Sequence, residues 1–170
     1  MCYYEKVLLL SYPHLANIID DMDKLVCQKA YSSFTNNISC LDLSEKIITI
    51  IDKKDRLIDL KIKLDEIFKN FSIEELWLLE QKYFKRKSVL KKLSGKITIQ
   101  YTLRTYFRKQ NRLLEKFSKS LCHKGMIESW FLERYGDIEW FNSLYSRLKY
   151  EEKTKIKKAE KETDELLKIA

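Results

Sequence analysis

The sequence predicts an all-α protein: a helical N-terminal part, then a helix-turn-helix unit, then short C-terminal helices. Three observations carry this. The 170-residue chain holds only 3 glycines and 1 proline, too little turn material for hairpins, Gly-rich phosphate loops or a multi-strand barrel. Apolar residues recur at three- and four-residue spacing through most of its length, as in helices with one buried face. A composition of 45% hydrophobic and 34% charged residues is that of a folded, soluble chain able to bury a core.

Tyr12 and Pro13 predict a break or kink near the start, because proline removes a helix hydrogen bond but is tolerated in a first turn. Leu15, Ile18, Ile19, Met22, Leu25 and Val26 then form a helical stripe. "SSFTNNISCLD" interrupts the period, and "LSEKIITIIDKKDRLIDLKIKLDEIFKNF" resumes it. Leu43, Ile50, Leu57, Leu64 and Phe71 are spaced by sevens, and Leu60 and Ile67 begin a second row. This predicts a long helix packed lengthwise against another, in the same chain or in a partner.

Ser72 followed by Glu75 fits a capping box, opening a helix whose apolar face is Ile73, Leu76, Trp77, Leu79, Tyr83 and Phe84. Val89, Leu90 and Leu93 fit a short helix, ended by Gly95 as a residue free to adopt positive φ. "KITIQ" reads as an extended connector, and Thr102 as the N-cap of "TLRTYFRKQNRLLEKF". "HKG" ends this part. "MIESWFLERYGDIEWFNSLYSRLKY" gives two aromatic-rich helices split at Gly136, and a polar, mixed-charge tail follows. Core packing is the expectation for Trp77, Trp130 and Trp140. The implied organisation is 1–71 for partner binding or dimerisation, 72–125 for the helix-turn-helix, and 126–170 for the C-terminal helices and tail.

The net charge of +8 is unevenly placed. Residues 72–125 carry 14 Lys+Arg against 4 Asp+Glu, whereas 1–71 carry 10 against 11 and 126–170 carry 9 against 10. So concentrated a positive potential suits a phosphate backbone. A membrane surface suits it less, because the basic helix has no tryptophan and needs its modest apolar face for packing. No apolar run reaches the length of a membrane span, and the N-terminus lacks the form of a signal peptide. A cytoplasmic, complete chain is the expectation.

Cys2, Cys27, Cys40 and Cys122 form no CxxC pair and, with only His14 and His123 beside them, no zinc spacing. They are expected to be plain thiols with the burial preference of cysteine. No Walker loop, dinucleotide fingerprint or HExxH occurs, and neither histidine has a nucleophile or carboxylate arrangement around it. The chain is expected to be neither an enzyme nor a cofactor binder.

Helix, short helix, turn and basic helix, in that order over 72–117, is the pattern of a helix-turn-helix. Its first two helices form a platform that presents the third to the major groove. On the third helix Leu103, Phe107, Leu114 and Phe117, with Tyr106 or Leu113 at the margin, are expected to face the platform. Arg104, Thr105, Arg108, Lys109 and Arg112 are expected to look outward; with Thr102 and Lys116 they make the candidate DNA-binding set.

"SIEELWLLEQKYFKRKSVLKKL" followed by "TLRTYFRKQNRLLEKF" resembles region 4 of bacterial sigma factors and the related phage-type and Firmicute-type transcription regulators. In these an "E-x-x-x-L-x-x-x-Y-F" helix precedes a short helix and an "S/T-x-R-T-Y-x-R" recognition helix. Glu75, Leu79, Tyr83 and Phe84 match the first element; Thr102, Arg104, Thr105, Tyr106 and Arg108 match the second. The resemblance covers about 50 residues by the motifs' own span. It implies promoter-type binding of double-stranded DNA, with Arg104, Thr105 and Arg108 as base or phosphate contacts and RNA polymerase as a partner. The connector "SGKITIQY" is longer than the family's tight turn, and residues 1–71 show no match to the strand-melting region of a sigma factor. The expectation is therefore a nucleoid-associated DNA-binding regulator, or an atypical sigma-like factor, with a homodimer or helical protein partner on its N-terminal part. The alternative is a helical adaptor that binds protein through the long helix and binds no specific DNA.

Overall fold

Pro13 divides the first helical segment as its ring chemistry requires. Helix α1 (Tyr3–Ser11) runs into a single 3-10 turn over Tyr12–His14, where the missing proline N–H costs nothing, and α2 (Leu15–Ser32) continues from it. In this computed structural model the described residues are 2–32, 40–95, 101–152 and 154. The remaining elements are α3 (Cys40–Lys69), α4 (Ile73–Leu79) with a π-helical turn over Glu80–Phe84, α5 (Lys87–Ser94), α6 (Leu103–His123), α7 (Glu128–Tyr135) and α8 over 139–152. Every regular element among the described residues is helical. The expected interruption at 33–39, the "KITIQ" connector at 96–100 and most of the polar tail lie outside the described residues.

The heptad row of α3 is its buried face. Leu43, Leu57 and Leu64 are buried, as are Leu60 and Ile67 of the second row and Phe71 just past the helix end, while Ile50 is half-buried. Their neighbours are in the same chain: α2 lies along α3, with Lys54 Nζ 2.8 Å from Asp23 Oδ1. The seven-residue spacing therefore reports an intramolecular helix pair, about 45 Å long on the α3 side at 1.5 Å per residue. Arg56 fastens α3 to the turn between α7 and α8, donating to both oxygens of Asp137 at 2.9 and 2.8 Å. That guanidinium holds the Asp137 carboxyl below the usual aspartate range.

A single hydrophobic cluster draws on all parts of the chain. Leu8 of α1, Leu64 and Phe68 of α3, Leu79 of α4, Phe117 of α6, Phe131 of α7 and Phe141 of α8 belong to it. Phe68 and Phe117 stack with centroids 5.7 Å apart, which fixes α6 on α3. Glu5, itself buried, joins α1 to α6 by accepting from Ser118 Oγ at 2.6 Å.

Helix ends follow the local chemistry in most places. Ser72 Oγ accepts from Glu75 N at 3.2 Å while Ser72 N donates to Glu75 Oε2 at 2.8 Å, the reciprocal capping box. At the end of α6, Met126 N donates to Leu121 O and Gly125 N to Cys122 O, both at 2.9 Å, with Gly125 at φ +69. This is a Schellman cap, and it needs the glycine. Gly136 splits α7 from α8 for another reason: a Cβ there would meet Leu132 O at 2.4 Å.

Four expectations are corrected. Gly95 caps α5 at φ −68, a right-handed conformation open to any residue. The four cysteines are exposed thiols, not buried ones. Trp140 is 45% exposed; Trp77 and Trp130 are half-buried and packed against the core. The second C-terminal helix, 139–152, is not short.

Candidate nucleic-acid interface

Thr102 sets the start of α6: its side chain accepts from Thr105 N at 3.4 Å and donates to Thr105 Oγ1 at 3.0 Å. The cap satisfies one of the helix's orphan N–H groups. It occupies both threonines, so Thr102 and Thr105 act first as framework for this helix. From there the apolar pattern rolls α6 onto the body along Gln110, Leu113, Phe117 and Leu121, all buried.

The inner face is narrower and rotated from the sequence expectation. Phe117 and Leu113 are buried, and Leu114 and Tyr106 are half-buried against the core. Leu103 and Phe107 are 77% and 57% exposed and so do not pack on the platform. At about 100° per residue Phe107 stands roughly 80° from Phe117, at the edge of the covered arc. Leu103 lies in the first turn, where nothing among the described residues covers it. Gln110 takes the central place that an apolar residue would be expected to hold. It is buried, donates from Nε2 to Leu78 O at 3.1 Å and to the Tyr106 hydroxyl at 3.3 Å, and thereby keys α6 to α4.

The cations of α6 fall into two classes. Lys109 forms an ion pair with Glu74 and donates to the Tyr101 hydroxyl at 2.8 Å, its ammonium 4.4 Å from that ring's centre. Lys116 pairs with Glu75 at 2.7 Å, donates to Asn70 O at 3.1 Å and lies 4.7 Å from the Phe71 ring centre. The adjacent carboxylates of the first turn of α4 thus straddle α6, reaching lysines seven positions, or about 10 Å, apart. Lys109 and Lys116, expected to face a ligand, are also struts of the fold. Arg104, Arg108 and Arg112 are exposed and form no ion pair or hydrogen bond among the described residues. Spaced by four, they make one row with about 6 Å between neighbours.

The surroundings extend that row's potential. From Gln81 through Leu114 the sequence contains no Asp or Glu. The acids on the N-terminal side of this window are paired within the fold, Glu80 with Arg86 and Glu74 and Glu75 with the two lysines, while Glu115, just past its other end, is exposed. Lys85, Lys87, Lys91 and Lys92, on α5 and just before it, are exposed and form no ion pair among the described residues. Helix α5 itself is held by Trp77 Nε1 donating to Ser94 Oγ at 3.1 Å. A run of 34 positions without a carboxylate, counted from 81 to 114 in the sequence, was the readable signal for this surface. Residue-type totals over the wider segment blurred it.

Glu75 carries two duties, and its removal has a definite cost. Burial pushes its carboxyl up, but Lys116 and the Ser72 amide outweigh this and hold it below the usual glutamate range. Glu75→Ala, losing both cap and ion pair, is expected to lower stability by about 1–2 kcal/mol at neutral pH. A carboxyl with a lowered folded value contributes stability above its unfolded value near 4.3, and loses that contribution as pH falls through the folded value. Thermal melts of wild type and variant should therefore differ at pH 7 and converge toward pH 3, a gap unchanged by acid being the contrary outcome.

Among the described residues, no group of three or more His, Cys, Asp or Glu is placed to hold a metal ion, and no helix is long and apolar enough to cross a membrane. No protein-family model, curated protein or solved structure matches this chain.

Proposed function

We propose that this chain is a DNA-binding transcription regulator, or an atypical sigma-like factor, that lays the outward face of α6 in the major groove of double-stranded DNA. The observation that carries the reading is the row Arg104, Arg108 and Arg112: three guanidiniums on one helix face with no partner among the described residues, beside a helix whose acids are all internally neutralised. Guanidiniums read guanine edges in pairs of hydrogen bonds and clamp phosphates equally well. The exposed rings and methyls of Phe107 and Leu103 border that row, offering apolar contact to thymine methyl groups. Thr102 and Thr105 position the first turn, and Lys109 and Lys116 hold α6 to its platform while adding charge at its flank. On this reading RNA polymerase is the protein partner and the nucleoid the place of action.

Selection from a random duplex library tests the proposal: recovery of a shared sequence motif supports it, and an unenriched pool after repeated rounds overturns it. A second reading, a helical adaptor, draws on Leu41, Ile48, Ile51, Ile58 and Ile62, which are exposed along α3 on the side away from its heptad row. An unenriched pool together with stoichiometric capture of a partner lost on Ile48→Lys and Ile62→Lys substitution would favour it.

A further inference from the structure

A cleft of about 590 Å³ opens between the π-helical turn, the 3-10 turn and α8, and of its lining residues only Lys85 also belongs to the basic surface beside α6. Tyr83 of the π-helical turn and Trp140 of α8 are among its lining residues. Trp140 is held in place by its Nε1 donating to Ser11 Oγ at 3.3 Å and by the His14 ring at 6.0 Å. The cleft's lining includes the cations Lys82, Lys85 and Arg147, with His14 beside them. No carboxylate lines it. Lys82 lies 5.4 Å from the centre of the Tyr83 ring, and Arg147 has a solvated partner in Glu151 at 3.6 Å, a pair weak enough to exchange for a ligand.

The backbone supplies an independent observation. Lys85 has φ 55 and ψ 26, and among the described residues it is the only non-glycine with positive φ. The turn itself has a structural reason: it lets Lys85 N donate to Glu80 O at 2.7 Å and brings Arg86 back onto Glu80. That reason calls for glycine or asparagine, which enter this region at little cost. A lysine there opposes backbone preference, and it lines the cleft. Strained positions and π turns both concentrate at ligand sites.

We infer that this cleft is a binding site for a free mononucleotide, its base stacked between Trp140 and Tyr83 and its phosphates held by Lys82, Lys85 and Arg147. The volume falls in the range of small-ligand sites, and suits one nucleotide rather than a strand. Three fixed cations against no lining carboxylate suit a phosphate better than a lone carboxylate. Aromatic walls suit a flat base. The inference stands apart from the reading of α6.

Calorimetry with the 5′-diphosphates of adenosine, guanosine, cytidine and uridine, beside the four nucleosides and a single-stranded oligonucleotide, tests it. At least one diphosphate should bind one site with Kd of about 100 μM or tighter, and its nucleoside at least ~10-fold more weakly. Lys85→Gly should weaken that binding about 5-fold or more while melting no lower than wild type, since glycine relieves the left-handed backbone. The Arg104, Arg108 and Arg112 triple alanine variant should bind as wild type. Absence of diphosphate binding below about 1 mM, equal affinity for nucleoside and nucleotide, wild-type affinity in Lys85→Gly, or binding only of the oligonucleotide would each overturn it.

Discussion

Replacing Arg104, Arg108 and Arg112 together with alanine is expected to lower affinity for the selected duplex by at least about 100-fold and to leave the melting temperature within about 5 °C of wild type. The first half follows from arithmetic: each guanidinium that contacts a base or phosphate contributes roughly 1–3 kcal/mol of specific binding, and the three share one face. The second half follows from their exposure and their lack of a partner among the described residues, since exposed substitutions of this kind each change stability by no more than about 0.5 kcal/mol. Lys109→Ala supplies the contrast. It removes the partner of Glu74 and of the Tyr101 hydroxyl, so it should lower stability more than any single arginine change and DNA affinity less. Gel-shift titration and thermal melts on the same preparations separate the two effects. If Lys109→Ala proved the more damaging to binding, the division of α6 into contact row and struts would fail.

Arg86→Ala is expected to cost roughly 3 kcal/mol, about 10 °C in a chain of this size. Glu80 is 2% exposed, and Arg86 donates to it from both its guanidinium and its backbone amide. The guanidinium also covers the rings of Tyr12 and Phe84, at 5.7 and 5.2 Å from their centres. Truncation leaves a carboxylate among apolar neighbours with one long backbone hydrogen bond. Glu80→Gln in the same chain removes the uncompensated charge and should recover part of the loss, which a pure loss of Arg86 packing would not allow. Denaturant unfolding of the two single variants and the double variant measures this coupling; independent, additive effects would contradict it.

How much was legible in the sequence depended on the range of the interaction. Signals written within four residues were readable: Pro13 at the 3-10 turn, the Ser72 and Glu75 box, and the Thr102 cap each depend on neighbours in the chain. The heptad row of α3 was readable as a packed face, and its partner α2 was the simpler of the two options on offer. The orientation of α6 was legible only to within about a quarter turn. Leu103 and Phe107 look like core residues by type, yet Gln110 holds the centre because Leu78 O and the Tyr106 hydroxyl await it there, partners 32 and 4 residues away. Lys109 and Lys116 have the same composition and spacing as surface cations. Only the fold brings Glu74 and Glu75 to them across 35 and 41 residues. The cleft beside Lys85 was invisible for the same reason, since His14, Lys82 and Trp140 meet only when three separate segments pack.

The most direct test of the account is the salt dependence of binding to the selected duplex. If α6 neutralises phosphates with its arginine row and adjoining lysines, log Kobs should fall linearly with log salt with a slope of about −3 to −5, starting from micromolar affinity or better near 50 mM. The triple alanine variant should lose about 1–3 units of that slope. A slope near zero, or a slope the variant leaves unchanged, would contradict the assignment of this face to DNA.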